Sequence, residues 1–210
     1  MLVSRVVEFA GGKENNKNGF DALLTQGYKP PRMGQPPVCL AIVVFPKVSR
    51  GPPGYINPMK QRKPTIFFGT DHAGYKLKEA LKGFLSKKGY SIKDFGTFSE
   101  ESVDYPDFIC PVAKAVAKNP AGSRGIILGG SGQGEAITAN RTKGVRAAVF
   151  YGGPEKIIIL SREHNDANIL SLGARFVSEK QAEKAVSLWL ETQFPGEERH
   201  KRRIKKIDGS

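Results

Sequence analysis

The chain has 210 residues, enough for one ordinary core with or without an appendage, and its 39% hydrophobic and 25% charged composition is that of a globular domain. Its formal net charge of +13 is unevenly placed: residues 1–63 hold ten Lys or Arg against Glu8, Glu14 and Asp21, and "RHKRRIKK" from Arg199 to Lys206 holds six more. The remainder balances at seventeen basic and seventeen acidic residues, which argues against a surface that tracks nucleic acid along its length, although a basic arm alone can still bind polyanions.

In chain order, residues 1–58 come first and differ from everything after them. "KPPRMGQPP" and "RGPPGYINP" are proline and glycine punctuation with no helical or strand period, so this segment is expected to be a disordered or loosely attached extension. The run "VCLAIVVF", Val38 to Phe45, is a candidate for one strand; it is far short of the roughly 20 residues that span a bilayer, and lies too deep for an ordinary signal peptide. Cys39 and Cys110 form no metal-ligand spacing and no disulfide framework, which points to a reducing compartment, the cytoplasm. Met59 is a second candidate start, since "MKQRKPTIFFG" reads like the opening of a complete domain over residues 59–210.

From Thr65 short apolar runs alternate with amphipathic segments. "TIFFG" is a strand; Tyr75 to Lys88 is a helix with Leu77, Leu81, Phe84 and Leu85 on one face; "SIKDFG" is the next strand. Asp104 is placed to cap a helix starting near Pro106, with Pro111 as a bend inside it. There follow the strand "GIILGG", a helix opening near Gly134, the strand "RAAVFY", a helix within Glu155 to Glu163, the strand "NILSLG", a helix opened by the capping box Ser178 to Gln181, and a basic C-terminal helix. Five strands alternating with helices imply an α/β fold, a parallel sheet covered on both faces, whose ligands sit beyond the carboxyl ends of the strands.

The residues just after the strands therefore carry the chemistry. "GTDHAG" sets Asp71 and His72 at that edge, although a capping Asp beside an exposed His is an equally good account. "GGSGQGEAITAN", Gly129 to Asn140, lacks the Gly-Lys-Ser/Thr ending of a P-loop, and Glu135 stands where a dinucleotide fingerprint needs Gly or Ala. Glycines there still expose successive backbone N–H groups at a helix start. A cradle with a carboxylate beside it suits a transient anion, such as the enediolate left when that carboxylate removes a carbon-bound proton; a glycine turn with Glu135 serving the helix dipole is the plainer alternative. "SREHNDAN" brings His164, Asn165 and Asp166 before the fifth strand, and "LGAR" brings Arg175 after it. Arg199 and Arg203 lie four apart, on one face of a helix, as either a solvated surface or a phosphate clamp.

Taken together, "GTDHAGYKLKE", "DFGTFSEESVDYPDF", "GGSGQGEAITAN", "REHNDANILSLGAR" and "RHKRR" resemble, in that order, the type B ribose-5-phosphate isomerases and the related galactose-6-phosphate isomerase subunits, over about Thr65 to Ile207. The resemblance implies a Rossmann-like three-layer α/β/α fold with a five-stranded parallel sheet, aldose–ketose isomerisation of sugar phosphates in the pentose phosphate pathway, no metal and no cofactor, and a homodimer or tetramer with active sites at the subunit interface. It also implies roles: Asp71 and His72 contact the sugar phosphate, Gly130, Ser131, Gly132, Gln133 and Gly134 cradle the reacting oxygens, His164 assists ring opening beside Asn165, and Arg175, Arg199 and Arg203 hold the phosphate. Many members carry cysteine where this chain has Ser131, and its thiolate takes the proton; a serine hydroxyl without an adjacent base is too weak an acid for that. The serine branch carries a glutamate four residues on, here Glu135, as the base. "FYGGPEKIIILSREH" departs from the small polar helix usual in relatives.

Ribose 5-phosphate is the expected substrate. A six-carbon aldose phosphate such as allose or galactose 6-phosphate remains open, because these motifs anchor phosphate and enediol without measuring chain length. A non-catalytic sugar-phosphate sensor would not need Glu135 and His164, and an RNA-binding protein would need a basic groove with interleaved aromatics that the neutral body lacks.

Overall fold

The computed structural model describes residues 63–209. The expected extension over residues 1–58, the candidate strand at Val38 to Phe45 and the candidate start at Met59 lie outside the described residues.

Among the described residues, twelve short segments set the architecture. The strands are β1 (Thr65–Thr70), β2 (Ile92–Asp94), β3 (Ser123–Gly129), β4 (Ala147–Phe150) and β5 (Ile169–Gly173). The helices are α1 (Tyr75–Lys87), α2 (Tyr105–Lys118), α3 (Gln133–Ala139), α4 (Lys156–Glu163), α5 (Glu179–Glu191) and α6 (Glu198–Asp208), with a 3-10 turn at His72–Gly74. All strand pairs are parallel, in the order β2-β1-β3-β5-β4.

Side chains alternate across the sheet and divide the core into two layers. Ile66, Phe68, Ile126, Leu128, Leu170 and Leu172 face Leu81 and Leu85 of α1, Ile158 of α4 and Ala182, Val186 and Trp189 of α5. Phe67, Ile127 and Ile169 face the other way, onto Ile109, Val112, Ala113 and Val116 of α2 and Ala139 of α3. A continuous apolar run such as "IILG" in β3, rather than an alternating one, is what a strand covered on both faces requires. The expected three-layer α/β/α fold with five parallel strands is thus observed.

Two local features differ from the sequence pattern. Asp104 occupies the position before α2, but its side chain makes no capping hydrogen bond. Pro106 has removed one of the first-turn donors, and the N–H of Asp107 is satisfied by the Asp104 backbone carbonyl at 3.3 Å. β2 is also shorter than "SIKDFG", because Gly96 turns away with φ 107°, although Phe95 N–H to Phe68 O and Thr70 N–H to Gly96 O continue the pairing. The capping box of α5 is present in full: Ser178 Oγ accepts from Gln181 N–H and Gln181 Oε1 accepts from Ser178 N–H.

The strand order places the functional edge. From β1 the chain passes to β2 on one side and then to β3 on the other, so a crevice opens between the carboxyl ends of β1 and β3. Asp71 follows the first of these strands and Gly130 the second. Gly74 lets the chain cross this point closely, since a Cβ there would overlap Thr70 Oγ1 and reach Leu128 Cβ at 2.6 Å. Among the described residues no helix is long and apolar enough to cross a membrane.

Candidate active site

Asp71, Tyr105, Gly130, Ser131, Gly134, Glu135, Arg175 and Phe176 line a cleft of about 390 Å³ at the carboxyl edge of the sheet. Its floor is the glycine turn between β3 and α3. Gly132 sits in the left-handed region at φ 76°, where a side chain would be strained and its Cβ would come 3.0 Å from Ser171 Oγ. The turn is pinned from below: Ser171 Oγ donates to Gly132 O at 2.6 Å, and Ala174 and Arg175 N–H donate to Gly129 O and Gly130 O at 2.8 and 3.1 Å. The loop after β5 and the glycine turn are therefore one unit, which carries Arg175 to within about 3.5 Å of where a Gly130 side chain would begin.

Glu135 is buried, only 4% exposed, in the first turn of α3. Its carboxylate lies against Gly129, so closely that any Cβ at that residue would overlap it. Burial raises its pKa above the ordinary 4.5, a hydrogen bond from its own backbone N–H opposes the shift, and the nearby charge of Asp71 adds to it. Asp71 itself caps the 3-10 turn, accepting from Ala73 and Gly74 N–H at 2.9 and 3.2 Å. The capping account of this residue is therefore correct, and it lines the cleft as well. His72 follows it, and the Nδ1 atom of His72 is buried without a hydrogen-bond partner.

A second cluster lies at the opposite end of the sheet. His164 caps the carboxyl end of α4 and Asn165 follows, both before β5 begins. The His164 ring stacks on that of His200, with centroids 4.3 Å apart and planes 12° from parallel. His200 is buried on α6, and burial first, then the charges of His164 and Arg199, hold its pKa below the ordinary 6.5. Arg199 and Arg203 are exposed on the same helix, with Arg199 Nε 2.7 Å from Glu197 Oε2. Since β5 separates His164 from the carboxyl edge, the two clusters of one chain stand at least about 13 Å apart along the strand. A larger hollow of about 510 Å³ at this end, between Asp166, Phe194 and Lys201, Ile204, Lys205 and Asp208 of α6, holds neither glycine turn nor buried carboxylate.

Residues 66–207 match the ribose/galactose isomerase family. The chain belongs to that family. Among its relatives, ribose-5-phosphate isomerase B of Escherichia coli is 39% identical over 145 residues, covering 68% of this chain and 93% of that protein. The ribose-5-phosphate isomerase B structure from Clostridium thermocellum is 48% identical with a TM-score of 0.65, covering 69% of this chain and 95% of that one. That of the Mycoplasma genitalium enzyme with bound ribulose-5-phosphate is 39% identical with a TM-score of 0.65, covering 69% and 94%.

In this ribose/galactose isomerase family member, the structure joins Asp71, Gly130, Ser131, Gly134, Glu135 and Arg175 around one cleft and sets His164, Asn165, Arg199 and Arg203 elsewhere. Gly132 and Gln133 complete the turn, Gln133 being exposed. Three residues emerge only in three dimensions. Tyr105 lies across Gly134, where a Cβ would meet its ring at 2.8 Å; Phe176 packs edge-on against Tyr151; and His200 joins His164. The one sequence signal for Tyr105 is the glycine at position 134, which a helix would otherwise not favour.

Proposed function

We propose that this chain interconverts ribose 5-phosphate and ribulose 5-phosphate by proton transfer between C1 and C2, with Glu135 as the base. The observation that carries this reading is the Glu135 carboxyl: buried, raised in pKa, packed against Gly129, and lining the cleft beside the glycine turn. Relatives of 39% identity and more bear the name ribose-5-phosphate isomerase B, and one of their structures holds ribulose-5-phosphate.

In the proposed sequence His164, beside Asn165, assists opening of the furanose. Glu135 then takes the C2 proton; the C–H electron pair forms the C1=C2 bond and the aldehyde oxygen becomes the enediolate oxygen. Backbone N–H groups of Gly130 to Gly134 face the developing charge, the O2 proton passes to O1, and Glu135 returns its proton to C1. A raised carboxyl pKa makes Glu135 a stronger base toward the C2 proton. Ser131 shapes the turn without acting as base, Asp71 and His72 contact the sugar phosphate, and Arg175, Arg199 and Arg203 bind its phosphate. Because His164, Asn165, Arg199 and Arg203 lie a strand's length from Glu135, a complete site needs a second copy that brings its amino edge to this carboxyl edge, so the working unit is a homodimer.

The test is Glu135→Gln, followed both by isomerisation of ribose 5-phosphate and by exchange of substrate hydrogen with deuterated water. Loss of both with binding retained supports the assignment; near-normal turnover and exchange, with Ser131→Ala the inactive variant, overturns it. The same assay over a panel of five- and six-carbon aldose phosphates decides substrate length.

A further inference from the structure

The turn that carries His164 and Asn165 is held by a side chain to which the reaction gives no part. Arg146 stands just before β4 with its side chain only 13% exposed. Its Nε donates to Asn165 O at 2.9 Å and Asp166 O at 3.2 Å, and its Nη2 to Asp166 O and Oδ2 at 3.1 and 3.2 Å. Its Nη1 reaches both carboxylate oxygens of Asp208, on α6, at 3.3 and 3.0 Å. One guanidinium thus spends all three nitrogens on two elements, the turn after α4 and the helix that bears Arg199, His200 and Arg203.

The turn needs such a hold. Asp166 has φ 43°, the one positive value at a non-glycine among the described residues, a region that L-residues disfavour. Arg162 grips it from the other side, Nη1 donating to Asp166 Oδ1 at 2.7 Å and Ala167 O at 2.6 Å. Arg162, however, touches only the turn and α5 side of this cluster, through Thr192 O at 3.1 Å, whereas Arg146 also reaches α6. A planar fork fixed on two backbone carbonyls and two carboxylates sets orientation as well as distance, which a lysine point charge would not.

We propose that Arg146 is a positioning residue that registers α6 against the His164–Asn165 turn, so that the ring-opening imidazole and the phosphate-binding arginines meet the substrate as one unit. This rests on the reading of His164 given above. Ribulose 5-phosphate has its O5 esterified and cannot close a furanose, whereas ribose 5-phosphate must be opened before Glu135 can act. Misplacing the turn should therefore hinder one process and spare the other.

The full chain carrying Arg146→Met is assayed at saturating substrate for two rates: consumption of ribose 5-phosphate, and exchange of the C1 hydrogen of ribulose 5-phosphate with deuterated water. Consumption is expected to fall about 10- to 100-fold, the scale of an ångström-size misplacement, with exchange held within about three-fold. Parallel loss of both rates, or loss of neither, overturns the proposal. His164→Asn serves as the reference: a split there but not in Arg146→Met overturns the positioning role alone, and a split in neither overturns the reading of His164 and the proposal with it. If Arg146→Met does not fold, Asp208→Asn cuts only the partly exposed link to α6 and is expected to raise KM for both sugar phosphates about two- to five-fold with kcat kept. An unchanged KM in that variant overturns the proposal.

Discussion

The two ends of the parallel sheet are built from opposite materials. At the carboxyl end, glycines allow backbone and a buried carboxylate to crowd together around Glu135 and Asp71, both largely hidden from water. At the amino end, arginines and stacked imidazoles are strung along α6 and the turn after α4. The first arrangement suits a step in which a proton leaves carbon; the second suits holding a dianion and handling a ring oxygen. A strand's length keeps them apart within one chain, and under the proposed function that difference becomes a division of labour reunited between two copies.

Changes at the carboxyl end should strike the chemical step. Glu135→Gln is expected to lower kcat about 10² to 10⁴-fold with KM nearly intact, as measured by steady-state turnover. The proposed base must be ionised to act, so kcat/KM is expected to fall with decreasing pH through a value above the carboxyl's ordinary 4.5. Its stability effect has the opposite sense. Since burial raises the folded-state pKa, stability from the protonated form is fully present below the unfolded value and lost as pH rises through the folded one. Glu135→Gln should therefore melt at a higher temperature than the parent at neutral pH and at the same temperature near about pH 4.

Gly129→Ala sharpens the same side of the comparison by indirect means. The new methyl would occupy the space of the Glu135 carboxylate and push the base aside, with an expected loss in kcat on the order of 10²-fold while the sheet, judged by circular dichroism, stays folded. The proposed division between copies is open to a direct attack. Glu135→Gln and His164→Asn homodimers, each nearly inactive, are mixed and allowed to exchange subunits. Half of the dimers then carry one wholly intact site, and about a quarter of parental activity should return. No recovery despite proven exchange would mean that each chain completes its own site.

Smaller effects should mark the amino end. Arg199→Ala or Arg203→Ala is expected to raise KM for ribose 5-phosphate by about 1.5 to 3 kcal/mol with kcat largely kept, through the loss of one charge-assisted phosphate contact. Back at the carboxyl end, Ser131→Ala should cost only about 1 kcal/mol in kcat/KM, since a single hydroxyl contact goes.

Strand identity and the functional edge were legible in the sequence because periodicity and glycine placement are local. Ile66, Phe68, Leu81 and Leu85 are core residues as their spacing demands, and Ser178 and Gln181 cap each other as their separation predicts. The partition of the site was harder to see. His164 and Arg175 stand close in sequence on either side of β5, and only the strand between them sends them to opposite ends. Tyr105 over Gly134 and His200 on His164 are contacts between elements far apart in the chain, for which one sequence holds no periodic signal. The missing side-chain cap at Asp104 shows the reverse case: the right residue stood in the right place, and a neighbouring proline had already removed part of the demand.

The strand order also has a consequence for biosynthesis. β5 lies between β3 and β4, yet it is made after both, and β4 pairs with β5 alone. As the chain leaves the ribosome, β2, β1 and β3 can assemble, but "AAVF" of β4 has no neighbour until Gly173 has emerged. At roughly 5 to 20 residues per second that wait lasts about one to five seconds. Throughout it, the free edge of β3 stands open beside Ile126, Ile127 and Leu128, so the nascent chain is most exposed to mispairing just before its last inner strand slides into place.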